Sequence, residues 1–463
     1  MEKFVLEHYL KSNRGEIGEE SPDPGISFTK LCKRIYADFV SEWEASKEDS
    51  HTILTLQKNA IIGYAHEVAY FKDKIRALLV KGVSRDQQFP AYYTSLADAI
   101  YHENWGLAGI AEWFEAGFRD SSSAKIIGDR IYFLEQGQMV LKPQRIIKSR
   151  REQLIRAFLL FTPEERLDKE FHEVYMLDGT RITIFGGLMT KKNQDVIIFR
   201  RYIIPAYTFE HQALRGTIPA SAIAFFRAMV EVGYNVVFTG AVRTAKTTFL
   251  STWQSYENQS LEGVMVETDP EIPLHLMMKD APIIQIIADN EKLKHIAKNL
   301  LRSDADYFIM AEARDGIALD TLVKIASKGT RRMKSTFHSR DPLDFCYDVA
   351  GEIIKIFGGD MDHTAIKAAK SFDYIFHFIQ LKNKSQKRLK GIYEMYVDSK
   401  TKEIVMTQIC SYCFDRDGWN WIYAISEDKR LSGKEENEEA FNRMSEALMM
   451  LSKLKEGIVC ELS

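Results

Sequence analysis

Apolar residues three and four positions apart mark the first ~90 residues as helical. In "SFTKLCKRIYADFVSEW" this spacing is kept by Phe28, Leu31, Cys32, Ile35, Phe39 and Trp43. The same period continues through "ILTLQKNAIIGYAHEVAYFKDKIRALLV" (residues 53–80). No cluster of titratable residues lies on these stripes, so we interpret them as packing surfaces of a helical region over residues 1–92.

The pattern changes after "VSRDQQFPAYY" (residues 83–93). "GLAGIAEWFEAG" predicts a helix that ends near Gly117, and "IIKSRREQLIRAFLLF" predicts a second helix. "AKIIGDRIYFLEQGQMVL" predicts two short strands around "EQGQ", and "HEVYMLDGTRITIFG" predicts a strand, an Asp-Gly turn and a strand. "QDVIIFRRYI" adds one more strand. Hairpins mixed with helices predict an α+β domain over residues 93–208.

Beyond that domain, short apolar strands alternate with amphipathic helices. The predicted strands are "NVVFT", "GVMVE", "IIQII", "DYFIMAE" and "MKSTFHS", and helical segments lie between them. This alternation predicts an α/β domain over residues 209–385, with a parallel sheet covered by helices on both faces. "DYIFHFIQL" and "LKGIYEMYVDSKTKEIVMTQICSYCF" predict further strands, and an amphipathic helix closes an extension over residues 386–463.

Composition adds limits on the function. The net charge is -3, so no overall basic field favours nucleic acid, and the basic stretch "KPQRIIKSRR" is typical of a solvated face. The five cysteines suit a reducing compartment, and the single C-x-x-C of Cys410 and Cys413 has no second pair for zinc. No apolar run approaches ~18 residues, and the acidic N-terminus is unlike a signal peptide. We therefore expect a cytoplasmic protein, with docking on a membrane left open.

Candidate chemistry begins with "NVVFTGAVRTAKTTFL" (residues 235–250), which nearly matches the phosphate-binding pattern G-x-x-x-x-G-K-[ST]. Gly240, Lys246 and Thr247 are present, whereas Ala245 replaces the second glycine. An apolar strand leads into Gly240 and a helix starts at Lys246, which is the setting that phosphate binding requires. The alternative is an ordinary strand-turn-helix with an exposed lysine.

Polar residues at the ends of neighbouring strands favour the phosphate-binding interpretation. Glu312 follows the apolar run of "DYFIMAE", and His338 follows that of "STFHS". "VMVETDPEIPL" places Glu267 and Glu271 at the end of an earlier strand. The carboxyl ends of parallel strands share one edge, where α/β ligand sites lie. Salt-bridged carboxylates and helix caps are the alternative explanation for each residue taken singly.

The order of the loop, "ETDPE", "AEARDG" and "STFHS" resembles the secretion-ATPase superfamily, the hexameric motors of type II secretion, type IV pili and type IV secretion. The corresponding family motifs are approximately E-D-x-x-E, G-E-x-R-[DG] and [TS]-x-H-[AS]. "YMLDGTRITIF", "VIIFRRYI" and "IIGDRIYFLEQGQMVL" resemble family segments further upstream. The resemblance covers roughly residues 105–396 and is strongest to the tight-adherence pilus and conjugation branch.

The resemblance implies a role for individual residues. Lys246 would bind phosphate and Thr247 would ligate Mg²⁺, while Glu267 and Glu271 would help to position the metal and the attacking water. Glu312 matches the catalytic carboxylate, Arg314 the family's arginine, and His338 a histidine that senses the γ-phosphate or couples subunits. Arg181 and Arg200 match arginines that the first domain brings to the nucleotide; the role of Arg201 stays open. The predicted nucleotide-binding positions are Gly240, Arg243, Thr244, Ala245, Lys246, Thr247 and Thr248.

The sequence departs from the family pattern at four places. Ala245 replaces the loop glycine, and Arg243 lies where small residues are usual. Thr268 replaces the aspartate of the acidic motif, and Ala311 replaces the glycine before Glu312. Alanine at position 245 is tolerated if φ is negative, whereas a positive φ there costs about 1 kcal/mol or more.

The sequence as a whole predicts an α/β, RecA-like motor that hydrolyses ATP with Mg²⁺ for a secretion, pilus-assembly or conjugation apparatus. The resemblance implies a homohexamer at the cytoplasmic face of the membrane, with an inner-membrane platform protein as partner and no direct contact with nucleic acid. Three alternatives stay open. The chain could be a nucleotide-binding subunit with little turnover, a structural subunit that does not use ATP, or a RecA-like DNA translocase.

Overall fold

The protein is described here by a computed structural model. The structure describes residues 25–46, 50–80, 87–159, 171–201, 207–268, 271–288, 290–300, 302–303 and 305–454. The chain separates into two compact units, residues 1–203 and residues 204–463. The finer boundaries at residues 92, 208 and 385 stay a prediction.

The first unit begins with helices that pack around aromatic side chains. Among its described residues the helices are α1 (Gly25–Ser46), α2 (Ser50–Ile62), α3 (Ala65–Val80), α4 (Leu96–Asn104) and α5 (Lys148–Leu159). Phe39 and Phe71 are fully buried, and their rings stack 5.9 Å apart. The expected apolar stripes are therefore core-facing, as the period of the sequence indicated.

An antiparallel sheet of six described strands, in the order β3-β2-β1-β6-β5-β4, completes this unit. Its strands are β1 (Ser123–Ile127), β2 (Arg130–Glu135), β3 (Gln138–Arg145), β4 (Phe171–Tyr175), β5 (Arg181–Phe185) and β6 (Val196–Arg200). Short 3-10 turns span Ala108–Phe114, Ala116–Phe118 and Gly187–Met189.

Local structure in this unit differs from the sequence prediction at three places. The continuous helical period over residues 53–80 is broken at Gly63, whose φ of 104° a helix cannot accommodate. The helix expected before Gly117 is two 3-10 turns. The strand pair around "EQGQ" is preceded by a further strand, β1, which pairs with β2 across Gly128.

The second unit is built on a sheet of nine described strands in the order β15-β14-β13-β12-β7-β11-β10-β8-β9. Its strands are β7 (Val236–Gly240), β8 (Gly263–Glu267), β9 (Ile283–Ile287), β10 (Tyr307–Ala311), β11 (Lys334–Phe337), β12 (Tyr374–Gln380), β13 (Lys387–Val397), β14 (Ile404–Cys413) and β15 (Gly418–Trp421). Strands β7 to β12 are mutually parallel, and β13 to β15 add antiparallel strands at one edge.

Helices cover both faces of this sheet. They are α6 (Phe209–Leu214), α7 (Ile223–Val232), α8 (Lys246–Ser255), α9 (Leu274–Met277), α10 (Asn290–Leu300), α11 (Gly316–Ala326), α12 (Phe345–Phe357), α13 (Met361–Ser371) and α14 (Glu427–Lys453). Two apolar cores result, one on each face; Phe238 belongs to one and the adjacent Val237 to the other. Further 3-10 turns span Ala220–Ala222, Pro342–Asp344 and Phe414–Arg416.

The predicted fold class is confirmed. A RecA-like α/β sheet follows an α+β part and a helical part, and one strand, β11, separates the loop-bearing β7 from β10. Within the described residues, none of the helices combines the length and the apolarity needed to cross a bilayer.

Candidate functional site

The phosphate-type loop has the backbone path that its sequence predicts. All five residues of β7 are buried, and α8 begins at Lys246, so residues 241–245 form the connection. At its start Gly240 has a φ of 139°, and a Cβ atom there would lie 2.2 Å from the carbonyl oxygen of Phe378. Only glycine fits this position, because any side chain would collide with the backbone of β12.

Ala245 adopts the left-handed conformation that its missing glycine would favour. Its φ is 72° and its ψ is 25°, and Arg243 two residues earlier has a φ of 66°. Each costs roughly 1–2 kcal/mol in a residue with a Cβ atom. The sequence left the sign of φ at position 245 open, and the structure has a positive φ there. The loop therefore keeps the backbone shape of a glycine loop although alanine occupies the position. Strain of this kind clusters at functional sites.

Lys246 is held inside the loop. Its Nζ donates hydrogen bonds to the carbonyl oxygens of Gly240 at 3.0 Å and Ala241 at 2.8 Å, and it lies 3.2 Å from Nδ1 of His338. These contacts use all three ammonium donors. Burial, reinforced by the neighbouring charge of Arg314, lowers the pKa of Lys246 to about 8, although Glu271 opposes the shift.

Three of the predicted residues meet Lys246 through one chain of polar contacts. Nδ1 of His338 faces the lysine, and its Nε2 lies 3.4 Å from Oε1 of Glu312, which also pairs with Arg314. Burial, together with the charges of Lys246 and Arg314, lowers the pKa of His338 to about 4, so the imidazole is neutral at neutral pH. A lysine that donates to Nδ1 leaves the ring proton on Nε2, directed at the carboxylate.

Glu312 is fixed by its backbone as well as by its side-chain partners. It has a φ of 66°, and its N–H donates to Oγ1 of Thr336 at 2.8 Å. The next N–H, of Ala313, donates to the Thr336 carbonyl oxygen at 3.1 Å. Thr336 on β11 thereby turns the chain sharply at the end of β10. The motif [TS]-x-H-[AS] includes Thr336 but does not predict this contact, because only the strand pairing brings Thr336 to Glu312.

The acidic motif after β8 divides into two roles. Glu267 is buried, and its Oε1 accepts hydrogen bonds from the N–H groups of Glu271 at 3.1 Å and Ile272 at 2.9 Å. It therefore shapes the turn that carries Glu271. The charge of Glu271 acts on Lys246, where it offsets part of the lowering of the pKa by burial. Thr268, which replaces the family's aspartate, is exposed.

The remaining loop residues lie at the start of α8. Oγ1 of the buried Thr244 donates to the Ala241 carbonyl oxygen at 2.9 Å and so closes the loop. Thr247 and Thr248 are partly buried in the first turn of the helix. The arrangement can present backbone N–H groups and the Lys246 cation to an anion, with the Thr247 hydroxyl beside them.

The predicted arginines of the first unit form a pair of their own. Arg181 and Arg200 are direct partners in the register of β5 and β6. Like charges opposite one another destabilise a sheet, and Glu173, 3.5 Å from Arg181, offsets part of that repulsion. Arg201, whose role was open, is tied into the fold: it donates to the carbonyl oxygens of Ser121 at 3.0 Å and Phe118 at 3.0 Å.

One buried histidine next to the loop was missed by sequence reasoning. His377 on β12 places Nδ1 2.9 Å from Oγ1 of Thr239, the residue before Gly240. Burial and the charge of Lys390 lower its pKa to about 4. Sequence separation hides this contact, since the two residues are 138 positions apart.

The C-x-x-C pair is part of the sheet. Cys410 and Cys413 are both buried in β14, and burial raises the pKa of the Cys410 thiol. Within the described ranges no cluster of three or more His, Cys, Asp or Glu side chains could hold a metal ion. A Mg²⁺ ion at a nucleotide needs no such cluster, because it takes one or two protein ligands together with water and phosphate oxygens.

Comparisons with known proteins give structural likeness at low sequence identity. No model of a known protein family matches the sequence, and no curated protein matches it. Among solved structures, the VirB11 ATPase of the Brucella suis type IV secretion system is 14% identical, with 62% of this chain and 92% of that chain covered and a TM-score of 0.34.

Two further structures align over more of the chain. The Legionella pneumophila ATPase DotB is 13% identical, with 73% of this chain and 85% of that chain covered and a TM-score of 0.43. The pilus retraction motor PilT with bound ADP is 13% identical, with 76% and 93% covered and a TM-score of 0.43. By name these are proteins of the class that the sequence motifs resemble. Because the TM-scores lie below 0.5, these structures carry no weight in the proposed function, which rests on the geometry of the site and on the sequence motifs.

Proposed function

We propose that the chain is a Mg²⁺-dependent ATPase that works as the motor of a secretion, pilus-assembly or conjugation apparatus. One observation carries the proposal: the contacts from Lys246 through His338 to Glu312 join the phosphate-type loop to the ends of β10 and β11. Phosphoryl transfer requires positive charge and backbone N–H groups at the phosphates and a carboxylate near the attacking water. Here the buried lysine lies on the loop, and the carboxylate is joined to it through one histidine.

Each residue of the site would have a distinct role in ATP hydrolysis. The loop N–H groups would hold the phosphates, and Lys246 would join them by exchanging its hydrogen bonds to the Gly240 and Ala241 carbonyl oxygens for phosphate oxygens. Thr247 would ligate Mg²⁺. The metal ion, when bound, would neutralise charge that develops on the phosphates. Glu312 would orient the attacking water, and the neutral His338 would keep the carboxylate and Lys246 at a fixed separation. Glu271 adds a second carboxylate on the same edge of the sheet, held in place by Glu267.

The first unit would complete the motor. The matched arginines Arg181 and Arg200 would contribute positive charge to the nucleotide during closure, as arginines do in other NTPases. We propose a homohexamer in the cytoplasm that binds an inner-membrane platform protein at the membrane surface. These assignments rest on the motif resemblance and are expectations about the working assembly.

A nucleotide-binding subunit with little turnover is the second candidate. Two observations favour this candidate. Ala245 and Glu312 both have a positive φ, and the Glu312 carboxylate already forms an ion pair with Arg314. A paired carboxylate is a weaker water-orienting group than an unpaired one, because its lone pairs are engaged. Turnover measurements separate the two candidates.

Steady-state ATPase activity and nucleotide affinity of the wild type, Lys246→Ala and Glu312→Gln test the proposal. We expect Glu312→Gln to bind ATP but to lose roughly 100-fold or more in kcat, and Lys246→Ala to lose affinity as well. Lys324→Ala is the matched control, since Lys324 is an exposed lysine on α11 that pairs with Asp320.

Equal background rates in the wild type and both site variants would contradict the ATPase proposal. ATP binding that depends on Lys246, with no turnover in the wild type, would favour the second candidate. A rate that rises severalfold with added DNA would favour a translocase, an outcome that the net charge of -3 argues against.

A further inference from the structure

Three cations lie in the loop and next to it, on the side of β7 away from the strand that carries Glu312. We call Arg215, Arg243 and Lys387 the cationic cluster. Arg243 belongs to the loop itself, Lys387 begins β13, and Arg215 follows α6. The family motifs assign no function to Arg215 or Lys387.

Strand pairing brings Lys387 to the level of the loop. On β12, Phe378 is the register partner of Gly240, and Gln380, two residues further on, is the partner of Lys387. A strand rises by about 3.3 Å per residue, so Lys387 lies about 7 Å past Gly240 in the direction in which the loop leaves the sheet.

Backbone contacts place Arg215 beside the same hairpin. The N–H of Leu389 donates to the carbonyl oxygen of Thr217 at 2.8 Å. A Cβ atom on Gly216 would lie 3.1 Å from the guanidinium of Arg388. Residues 215–217 therefore run along residues 387–389, and the guanidinium of Arg215 lies 5.1 Å from the ring centroid of Tyr207.

The cluster differs from its neighbour Arg388 in having no carboxylate partner. Asp417 accepts hydrogen bonds from Arg388 at 2.8 Å and 2.9 Å, which neutralises that charge. In the part of the chain that the structure describes, no salt bridge involves Arg215, Arg243 or Lys387. Burial, followed by the charges of Arg243 and Arg215, lowers the pKa of Lys387 to about 8. Lys387 is thus repelled by both arginines, and an anion beside Lys387 would relieve that repulsion.

We propose that the cationic cluster binds the phosphate chain of the nucleoside triphosphate held by the loop, opposite the side on which Glu312 and His338 lie. The proposal rests on the proposed function and extends it to Arg215 and Lys387. Arg243 links the two sites, because its backbone is part of the loop and its charge acts on Lys387. The ligand is a polyphosphate, since cations that converge at a phosphate-type loop select for negative charge rather than for a base.

The test measures the dissociation constant of a non-hydrolysable ATP analogue with Mg²⁺, and of adenosine, for the wild type and for Arg215→Gln/Lys387→Gln. We expect the double variant to bind the analogue about tenfold more weakly, with adenosine unchanged and with a smaller dependence on salt. Lys382→Gln is the matched control, because it removes the same charge from an exposed position on the same hairpin. Lys387→Arg keeps the charge and should bind as the wild type does.

The outcomes distinguish the role of the cationic cluster from the proposed ATPase function. If Lys246→Ala abolishes analogue binding while the double variant binds like the wild type, the cluster has no role and the proposed function survives. If the wild type does not bind the analogue at all, the proposed function fails and the cluster proposal fails with it. Equal weakening for adenosine, or the same loss in Lys382→Gln, would also overturn the cluster proposal. Single-stranded DNA that binds the wild type and loses affinity in the double variant would assign the cluster to nucleic acid instead.

Discussion

Two histidines flank the loop-bearing strand β7. They have similar pKa values but differ in position along the strand, in exposure and in contacts. His338 follows β11, is 33% exposed, and contacts both Lys246 and Glu312. His377 lies within β12, is 3% exposed, and bonds to Thr239. Burial lowers the pKa of each to about 4. Position relative to the end of the strand, rather than titration, therefore decides which histidine can meet a ligand.

The same division holds for the charges on the two sides of β7. The β10–β11 side carries Glu312 and His338, and the β12–β13 side carries the cationic cluster. A bound triphosphate would therefore have a carboxylate for water on one side and positive charge on the other. Substitutions at successive points of this arrangement test it, beginning with the strand that separates the two sides.

Gly240→Ala should have the largest effect. The new methyl group would lie 2.2 Å from the Phe378 carbonyl oxygen, so β7 and β12 would have to separate, at a cost of roughly 3 kcal/mol or more. Urea unfolding should show this loss, together with the loss of nucleotide binding. Gly329→Ala is the control, because Gly329 also has a positive φ, of 97°, but has nothing within 4 Å of the added carbon. Equal losses in the two variants would show that φ, and not contact with β12, limits position 240.

Substitution of the two histidines by alanine tests the comparison directly. His338→Ala should lower kcat roughly 10- to 100-fold with little change in unfolding free energy, because it disconnects Lys246 from Glu312. His377→Ala should lower the unfolding free energy by about 1–2 kcal/mol, because it leaves Thr239 buried without its partner, and should change kcat much less. ATPase assays and urea unfolding on both variants check the two expectations. A reversal, with His377→Ala as the variant that loses turnover, would assign the working histidine to β12.

The fold and the site were not equally predictable from the sequence. Alternating apolar runs predicted every strand from β7 to β12, because buried parallel strands read as short apolar segments between helices. Glu312 and His338 were chosen as candidate site residues because each directly follows such a run. Periodicity did not predict the break at Gly63, where helical spacing persists on both sides of a residue with positive φ.

Contacts between distant segments account for most of what sequence reasoning missed. Thr336 holds the backbone of Glu312, and His377 holds Thr239, through strand pairing that local patterns do not encode. The cationic cluster likewise forms from three segments that meet only in the folded chain. The conformation of Ala245 was also undetermined, since residue type sets the cost of a positive φ but not whether the loop adopts it.

The pH dependence of nucleotide affinity should show the titration of Lys246. Its pKa of about 8 means that the ammonium is charged at pH 7 and largely neutral at pH 9, so the affinity should fall as the pH rises through 8. For one required charge with this pKa the loss between pH 7 and pH 9 is about tenfold. Lys387 has a similar pKa, so the measurement is made in Lys387→Arg, whose position 387 does not titrate. A flat profile in that variant would contradict the assignment of Lys246 as the phosphate-binding cation.

Ala245→Gly should have the smallest effect, and its sign is informative. Glycine relieves the strain of a φ of 72° but loses more conformational entropy on folding, so we expect a net stabilisation of at most about 1 kcal/mol. Ala245→Ser keeps a Cβ atom and should give no such gain. If glycine stabilises the protein and leaves ATP affinity unchanged, the methyl group is only a folding cost, and the loop grips phosphate as it stands. If the ATP affinity of Ala245→Gly also rises severalfold, the methyl group of Ala245 weakens phosphate binding in the wild type. That result would favour the subunit with little turnover.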